Sequence, residues 1–207
     1  MCGIVGIFGK QSAPSLDLDI LTHRGPDHTD WVTVNDMALG HTRLSIVDVD
    51  GGDQPIPSPD ERYWLISNGE IYNHLDIRAQ LPDYDFQTNT DSEVIVALYQ
   101  HYGTAAVDHL DGMFAFAVYD EVANSIYMVR DPLGIKPLYY GWQDGVLYFA
   151  SELKALQHHV ETLHEFPPGH WYTPQDGFVK YYDLDTVVTD METQPPPAIS
   201  DIERGLR

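Results

Sequence analysis

The sequence predicts a layered α+β domain of ordinary size. Its 207 residues are 43% hydrophobic and 12% aromatic, which is enough to bury a sizeable core. Strand-like and helix-like segments come in mixed blocks rather than in regular βαβ alternation, which favours a layered α+β fold over a doubly wound sheet. Short turns with Gly or Asp link four strand-like segments in the middle of the chain: Met113–Tyr119, Ser125–Val129, Leu138–Tyr140 and Val146–Ala150.

The first third of the chain predicts further strands. The candidates are Cys2–Phe8, Trp31–Val34, Met37–Ser45 and Tyr63–Ser67. The first is rich in Ile and Val, and its glycines allow other backbone to approach closely. The last precedes an Asn-Gly dipeptide, which is typical of a turn.

Two segments predict helices, Tyr72–Leu81 and Ser92–Tyr102. The first stops before a proline and the second before a glycine. Residues 90–93 fit a capping box, which puts Asp91 in the first turn, where its charge suits the helix dipole. A short helix and two weaker strands are expected to close the domain: Ser151–Leu156, His170–Thr173 and Val179–Tyr182.

The chain changes character after about Asp185. Three consecutive prolines, Pro195 to Pro197, favour an extended linker. We therefore expect a domain at residues 1–185 and a Pro-rich tail at residues 186–207. A linker that leads to so short a segment suggests a chain cut short relative to a larger relative.

The charge balance argues against some classes of function. Asp and Glu number 32 against 11 Lys and Arg, a formal charge of −21, and nucleic-acid binding needs clustered cations. The acidic excess fits a solvated surface, and a second interpretation is adaptation to high salt. No apolar run approaches the roughly 18 residues of a membrane span. The single cysteine excludes an intramolecular disulfide or a Cys-rich zinc site, so we expect a cytoplasmic protein.

Cys2 is the first candidate for chemistry. A lone cysteine is most often a small buried residue. At position 2, however, removal of Met1 would leave a thiol and a free α-amine on the same residue. That amine, with a reference pKa of roughly 7.7–8.0, can accept the thiol proton directly or through one water.

Four other residues offer groups that an acyl-transfer site needs. Asn68 and Gly69 could supply an amide and an N–H to a tetrahedral oxyanion, although an ordinary Asn-Gly turn explains them as well. Arg43 lies in an otherwise apolar strand, so it needs a carboxylate, either from a structural salt bridge or from a ligand. Asp91 could cap a helix or hold an ammonium group.

Together these features resemble the glutaminase domain of glutamine-dependent asparagine synthetases. That domain is a class II glutamine amidotransferase of the N-terminal-nucleophile hydrolase type. The resemblance spans Met1 to Asp185 and rests on eight strings in this order: MCGIVGIFG, HRGPD, GHTRLSIVD, NGEIYNH, TDSEVIVALY, LDGMFAFAVYD, RDPLGIKPLYY and FASELKAL.

The resemblance implies a four-layer αββα sandwich and a reaction without metal or cofactor. Cys2 would attack the side-chain amide of L-glutamine, form a glutamyl thioester and release ammonia before water releases glutamate. Asn68 and Gly69 would form the oxyanion hole. The remaining positions would bind glutamine: Arg43 with Leu44, Ser45, Ile46 and Val47 at its α-carboxylate, and Glu70 with Asp91 at its α-amine. Arg24, Arg130 and Lys136 are assigned no chemistry.

The sequence departs from the family because it contains no Ser-Gly-Gly-x-Asp-Ser loop for ATP. It therefore predicts the ammonia-releasing half of the reaction alone. Three interpretations stay open: a glutaminase that supplies a separate synthetase, a fragment of a complete synthetase, and a non-catalytic glutamine-binding module or an amide hydrolase with another substrate.

Overall fold

A computed structural model describes residues 1–9 and 16–184. In that part of the chain the strands are β1 (Gly3–Phe8), β2 (His28–Val34), β3 (Met37–Arg43), β4 (Ile56–Pro57), β5 (Tyr63–Ile71), β6 (Gly112–Asp120), β7 (Ser125–Arg130), β8 (Tyr139–Gln143), β9 (Val146–Ala150), β10 (His164–Glu165), β11 (His170–Thr173) and β12 (Gly177–Lys180). Two α-helices, α1 (His74–Gln80) and α2 (Glu93–Tyr102), lie between β5 and β6.

The strands form two antiparallel sheets of six strands. The first has the order β10-β8-β9-β1-β3-β2, and the second has the order β12-β11-β7-β6-β5-β4. β1 therefore lies inside the first sheet, hydrogen-bonded to β3 on one side and to β9 on the other. This arrangement fixes the position of the residue that precedes β1, which is Cys2.

Successive side chains of β6 point to opposite faces of the second sheet, and they show how the layers are built. Phe114 and Phe116 point to the helical side of the second sheet, whereas Ala115, Ala117 and Tyr119 point to the first sheet. Because both faces of the strand are buried, its sequence is almost continuously apolar. The space between the two sheets is the central core of the protein.

The outer layers complete the predicted αββα sandwich, which the structure confirms. On the second sheet, α2 buries one apolar face through Val94, Ile95 and Leu98. On the first sheet, the covering layer within the described residues consists of two short 3-10 segments, Leu18–Leu21 and Leu153–Ala155. This layer is thinner than a helical one.

The largest departure from the sequence prediction concerns β5. The strand was expected to end at Ser67 before an Asn68-Gly69 turn. Instead it continues through both residues to Ile71 and pairs with β6 over its whole length. Turn propensity is a local preference, and the pairing of nine β5 residues with the buried strand β6 outweighs it.

The start of α2 also differs from the prediction. The helix begins at Glu93, and Asp91 lies before it rather than in its first turn. Thr90 Oγ1 does accept the Glu93 N–H, at 3.3 Å, as a capping box requires. The Glu93 carboxylate, however, accepts the N–H groups of Gln87 and Thr88 instead of that of Thr90. Half of the predicted capping box is therefore present.

Other differences are small. The structure adds two short strands, β4 and β10, and a 3-10 segment at Gly103–His109. In α1, Ile77 is buried whereas Leu75 faces solvent. The predicted tail at residues 186–207 lies outside the described residues. No described helix is long and apolar enough to cross a membrane.

A polar contact between β3 and β5 crosses the core. His41 on β3 is fully buried, and its Nε2 donates to the Ser67 carbonyl on β5 at 3.2 Å. Burial lowers the pKa of His41 to about 3, and this effect outweighs the opposing effect of the hydrogen bond. The nearby positive charge of Arg43 lowers that pKa further.

This burial predicts an acid-dependent loss of stability. Below pH 6.5 the unfolded chain protonates His41 and the folded chain does not until about pH 3, so folding loses about 1.4 kcal/mol per pH unit in that window. His41→Gln cannot titrate. Urea unfolding should therefore show the stability of the wild type falling relative to that of His41→Gln by about 2 kcal/mol between pH 6 and 4.5. If the unfolding free energies of the wild type and of His41→Gln changed in parallel with pH, this result would contradict the neutral, buried state of His41.

Candidate active site

Cys2 lies at the N-terminal end of the central strand β1, at one edge of a small polar pocket. Its Sγ accepts the Leu44 N–H at 3.4 Å and lies 3.8 Å from the Leu44 carbonyl oxygen. Leu44 directly follows β3, the neighbour of β1 in the sheet. Burial raises the pKa of the Cys2 thiol, although the Leu44 N–H, the N-terminal ammonium and Arg43 oppose this effect.

The pocket has a volume of about 210 Å³ and brings together nine of the ten residues that the sequence predicted. These nine are Cys2, Arg43, Leu44, Ile46, Val47, Asn68, Gly69, Glu70 and Asp91. Ser45 is the exception, since it does not line the pocket and its N–H donates to Asp27 Oδ2 at 2.7 Å. Segments far apart in sequence therefore converge on one space.

Asn68 contacts Cys2 directly. Its amide is assigned the orientation in which Nδ2 donates to the Cys2 carbonyl at 3.1 Å and Oδ1 accepts from Arg24 Nη2 at 3.3 Å, because the opposite orientation would set donors against donors. One of its two amide hydrogens then stays available to the pocket. Asn68 and Gly69 are strand residues whose positions the pairing of β5 with β6 determines.

Arg24 is the contact that the sequence prediction missed. Its Nε donates to the Cys2 carbonyl at 2.9 Å, and its Nη1 donates to Glu152 Oε1 at 2.9 Å. Burial raises the pKa of Glu152, but hydrogen bonds from Arg24, His23 and Lys154 outweigh this effect and lower it to about 2. Arg24 belongs to the HRGPD string, but that string by itself does not indicate that Arg24 contacts Cys2.

Arg43 is buried, and most of its N–H groups already bind acceptors within the protein. Its Nη1 donates to Asp53 Oδ1 at 2.9 Å and to the Val49 carbonyl, and its Nη2 donates to the carbonyls of Val47 and Asp48. Four of its five N–H groups are thus engaged within the protein. The Asp53 side chain is 49% exposed, so this partner can turn toward solvent.

Glu70 and Asp91 place two carboxylates in the same pocket. Asp91 is buried and accepts the Ile71 N–H at 2.7 Å. Burial and the charge of Asp91 raise the pKa of Glu70, whereas Lys136 and the N-terminal ammonium lower it. A cation that binds between two such carboxylates relieves their repulsion. The arrangement therefore suits an ammonium group.

Lys136 also lines the pocket, although the sequence prediction gave it no chemistry. It is buried, and the carboxylate of Asp131 accepts its backbone N–H at 2.9 Å. The pocket thus carries two cationic and two anionic side chains. Within residues 1–9 and 16–184, no group of three or more His, Cys, Asp or Glu side chains is arranged to hold a metal ion.

Comparison with known proteins gives a consistent result. Residues 1–182 match a family model described as a glutamine amidotransferase domain. The chain is 44% identical over 191 residues to asparagine synthetase B (glutamine-hydrolyzing) of Escherichia coli strain K12, covering 88% of this chain and 34% of that protein. It is 43% identical over 185 residues to asparagine synthetase (glutamine-hydrolyzing) 2 of Arabidopsis thaliana, covering 86% and 32%. The chain spans about a third of the length of these relatives.

A solved structure shares the fold. It is a glutamine phosphoribosylpyrophosphate amidotransferase from B. subtilis, which superposes with a TM-score of 0.74 at 24% identity. The match covers 87% of this chain and 49% of that one. At this identity the likeness concerns the fold alone.

Gly69 gives a test of the strand geometry at the pocket. A Cβ at this position would lie 2.5 Å from the Met113 carbonyl oxygen and 2.8 Å from Phe114 Cα, both backbone atoms of β6. Gly69→Ala should therefore lower the free energy of unfolding by about 1–3 kcal/mol, measured by urea denaturation. Ser67→Ala on the same strand is the control, since the buried Ser67 Oγ has no hydrogen-bond partner among the described residues and its loss should be nearly neutral. Equal stability of both variants would contradict the close approach.

Proposed function

The chain belongs to the glutamine amidotransferase family, and we propose that it hydrolyses the side-chain amide of L-glutamine to glutamate and ammonia. Membership agrees with the resemblance that the eight sequence strings indicate. The observation that carries the proposal is the convergence of a thiol, an amide donor, a buried guanidinium and paired carboxylates in one pocket. These groups match the reacting bond and both charged ends of an α-amino acid.

Cys2 would become reactive after removal of Met1. Met1 is 55% exposed, so the N-terminus is accessible for processing. Because burial raises the pKa of the thiol, Cys2 stays protonated at rest and needs a base at the moment of attack. Its own freed α-amine, with a reference pKa of roughly 7.7–8.0, would serve. While Met1 is attached, that nitrogen is a peptide amide and cannot accept the proton.

The chemistry would then run in two halves. The sulfur of Cys2 attacks the amide carbon as its proton moves to the α-amine, and the carbonyl oxygen becomes an oxyanion. The Asn68 amide and the Gly69 N–H would donate to this oxyanion. The α-amine then gives its proton to the departing nitrogen, which leaves as ammonia. Water attacks the remaining thioester in the same way and releases glutamate.

Recognition of the substrate would use both of its charged ends. Asp91 and Glu70 would hold the α-ammonium group, and Arg43 would hold the α-carboxylate with help from the backbone of residues 44–47, which includes Ser45. Because four N–H groups of Arg43 are engaged, we propose that the substrate carboxylate replaces the half-exposed Asp53 at the guanidinium. An analogue that lacks the α-amine would leave the two carboxylates without their cationic partner.

The ammonia acceptor is the less direct part of the proposal. The relatives that resemble this chain are named as asparagine synthetases, and the chain spans about a third of their length. We propose that a synthetase domain in a separate protein uses the ammonia. The site needs no metal or cofactor for the hydrolytic half. A single cysteine fits a cytoplasmic location, which is part of the same proposal.

The nucleophile assignment predicts the outcome of a single substitution. Cys2→Ser should lower kcat for glutamine hydrolysis at least about 1000-fold, and Cys2→Ala should abolish it, because the oxygen nucleophile is much less reactive and the methyl group has none. Glutamate release can be measured in a coupled assay, with intact mass confirming loss of Met1. Equal glutamate release by wild type and Cys2→Ala would refute the assignment.

The substrate clamp predicts a change in KM. Asp91→Asn keeps an oxygen for the Ile71 N–H but loses the negative charge, so the strand should keep its position. Loss of a charged hydrogen bond to the substrate ammonium should raise KM for glutamine about 10- to 100-fold, with a smaller effect on kcat. A lower kcat at unchanged KM would place Asp91 in the chemical step rather than in binding.

A further inference from the structure

Among the residues that the structure describes, no strand neighbours the edge of β5 beside the pocket. β4 pairs only with Trp64 and Leu65, whereas β6 pairs with β5 along its whole length. Beyond Leu65, backbone groups of β5 that point away from β6 therefore have no strand partner in the described part of the chain. Buried backbone groups without partners are costly, so other groups must take this place.

At Ser67, two buried side chains form the hydrogen bonds that a neighbouring strand would otherwise form. Gln54 Oε1 accepts the Ser67 N–H at 2.6 Å, and His41 Nε2 donates to the Ser67 carbonyl at 3.2 Å. His41 is fully buried and Gln54 is 6% exposed. Both backbone groups of this one residue are thus held by side chains from outside the second sheet.

We propose that His41 and Gln54 are positioning residues that align the oxyanion-hole donors with Cys2. The inference rests on the proposed hydrolysis through Asn68 and Gly69. The Ser67 carbonyl that His41 holds belongs to the same planar peptide group as the Asn68 nitrogen. A tilt of that plane moves the Asn68 side chain relative to Cys2, and a misplacement of about 1 Å can cost on the order of 100-fold in rate.

His41 suits this role because its Nε2 remains a hydrogen-bond donor to the Ser67 carbonyl at working pH. A carbonyl partner requires a hydrogen on Nε2, so Nδ1 is the unprotonated nitrogen, and it has no hydrogen-bond partner among the described residues. With its pKa lowered to about 3 by burial, the ring stays neutral at working pH. His41 also does not line the pocket, so it acts through Ser67 rather than on the substrate.

The decisive experiment compares two reactions of the same thiol. Hydrolysis of glutamine passes through an oxyanion, whereas alkylation by iodoacetamide does not, since the thiolate simply displaces iodide. Cys2 is the single cysteine of the chain, so alkylation reports on it alone. The two rates together separate loss of the oxyanion hole from general damage to the nucleophile.

We expect His41→Leu to lower kcat for glutamine about 10- to 100-fold, while KM and the alkylation rate stay within about twofold of wild type. His41→Gln, which keeps an N–H donor at the same reach, should restore most of kcat, and the pH profile of kcat should keep its shape in both variants. Tyr127→Phe is the matched control. It removes another buried hydrogen bond, from Tyr127 Oη to the Thr104 carbonyl, at a residue that does not line the pocket, and should leave kcat unchanged.

Gln54 gives a second route if His41→Leu does not fold. Gln54→Leu leaves the Ser67 N–H without its acceptor and should lower kcat in the same way, whereas Gln54→Glu keeps an acceptor oxygen and should lose less. Unchanged kcat, or equal losses in hydrolysis and alkylation, would overturn the positioning role. A wild type that alkylates at Cys2 but does not hydrolyse glutamine would instead refute the proposed function itself.

Discussion

The site depends on one guanidinium group, that of Arg24. It joins the backbone of Cys2, the side chain of Asn68 and the carboxylate of Glu152, and so connects the end of β1 to the middle of β5. Such charge-assisted hydrogen bonds are strong and directional. Because the two strands belong to different sheets, their packing alone would leave some freedom of sliding between them. Arg24 restricts this freedom where the Asn68 side chain meets the Cys2 backbone.

Local sequence patterns predicted the fold wherever hydrophobic burial determines it. β6, β7 and β9 occur within a residue of their expected bounds, because their apolar residues fit one layer on each face. The prediction of a turn at Asn68-Gly69 was wrong, since this preference is weaker than nine pairs of ladder contacts with β6. The capping box was half right because the Glu93 carboxylate binds Gln87 and Thr88 instead.

The site residues were predicted from the eight sequence strings, and the structure adds contacts that these strings do not indicate. The partners of Arg43, His41 and Arg24 are set by the way segments fold back on one another. Asp53 lies ten positions from Arg43 on a loop, and Ser67 lies across the core from His41. No periodicity encodes such pairs, because they depend on the relative position of two sheets and on loop shape.

In the proposed binding mode, the charges of the pocket imply that the two ends of glutamine contribute unequally to binding. At the carboxylate end the substrate would exchange for Asp53, which leaves a guanidinium that is paired before and after binding. At the ammonium end, Asp91 is buried, and burial together with the charge of Asp91 raises the pKa of Glu70. An ammonium bound there would relieve the repulsion between the two carboxylates, so the net gain would be larger. Affinity should therefore come mainly from the α-amine of the substrate rather than from its α-carboxylate.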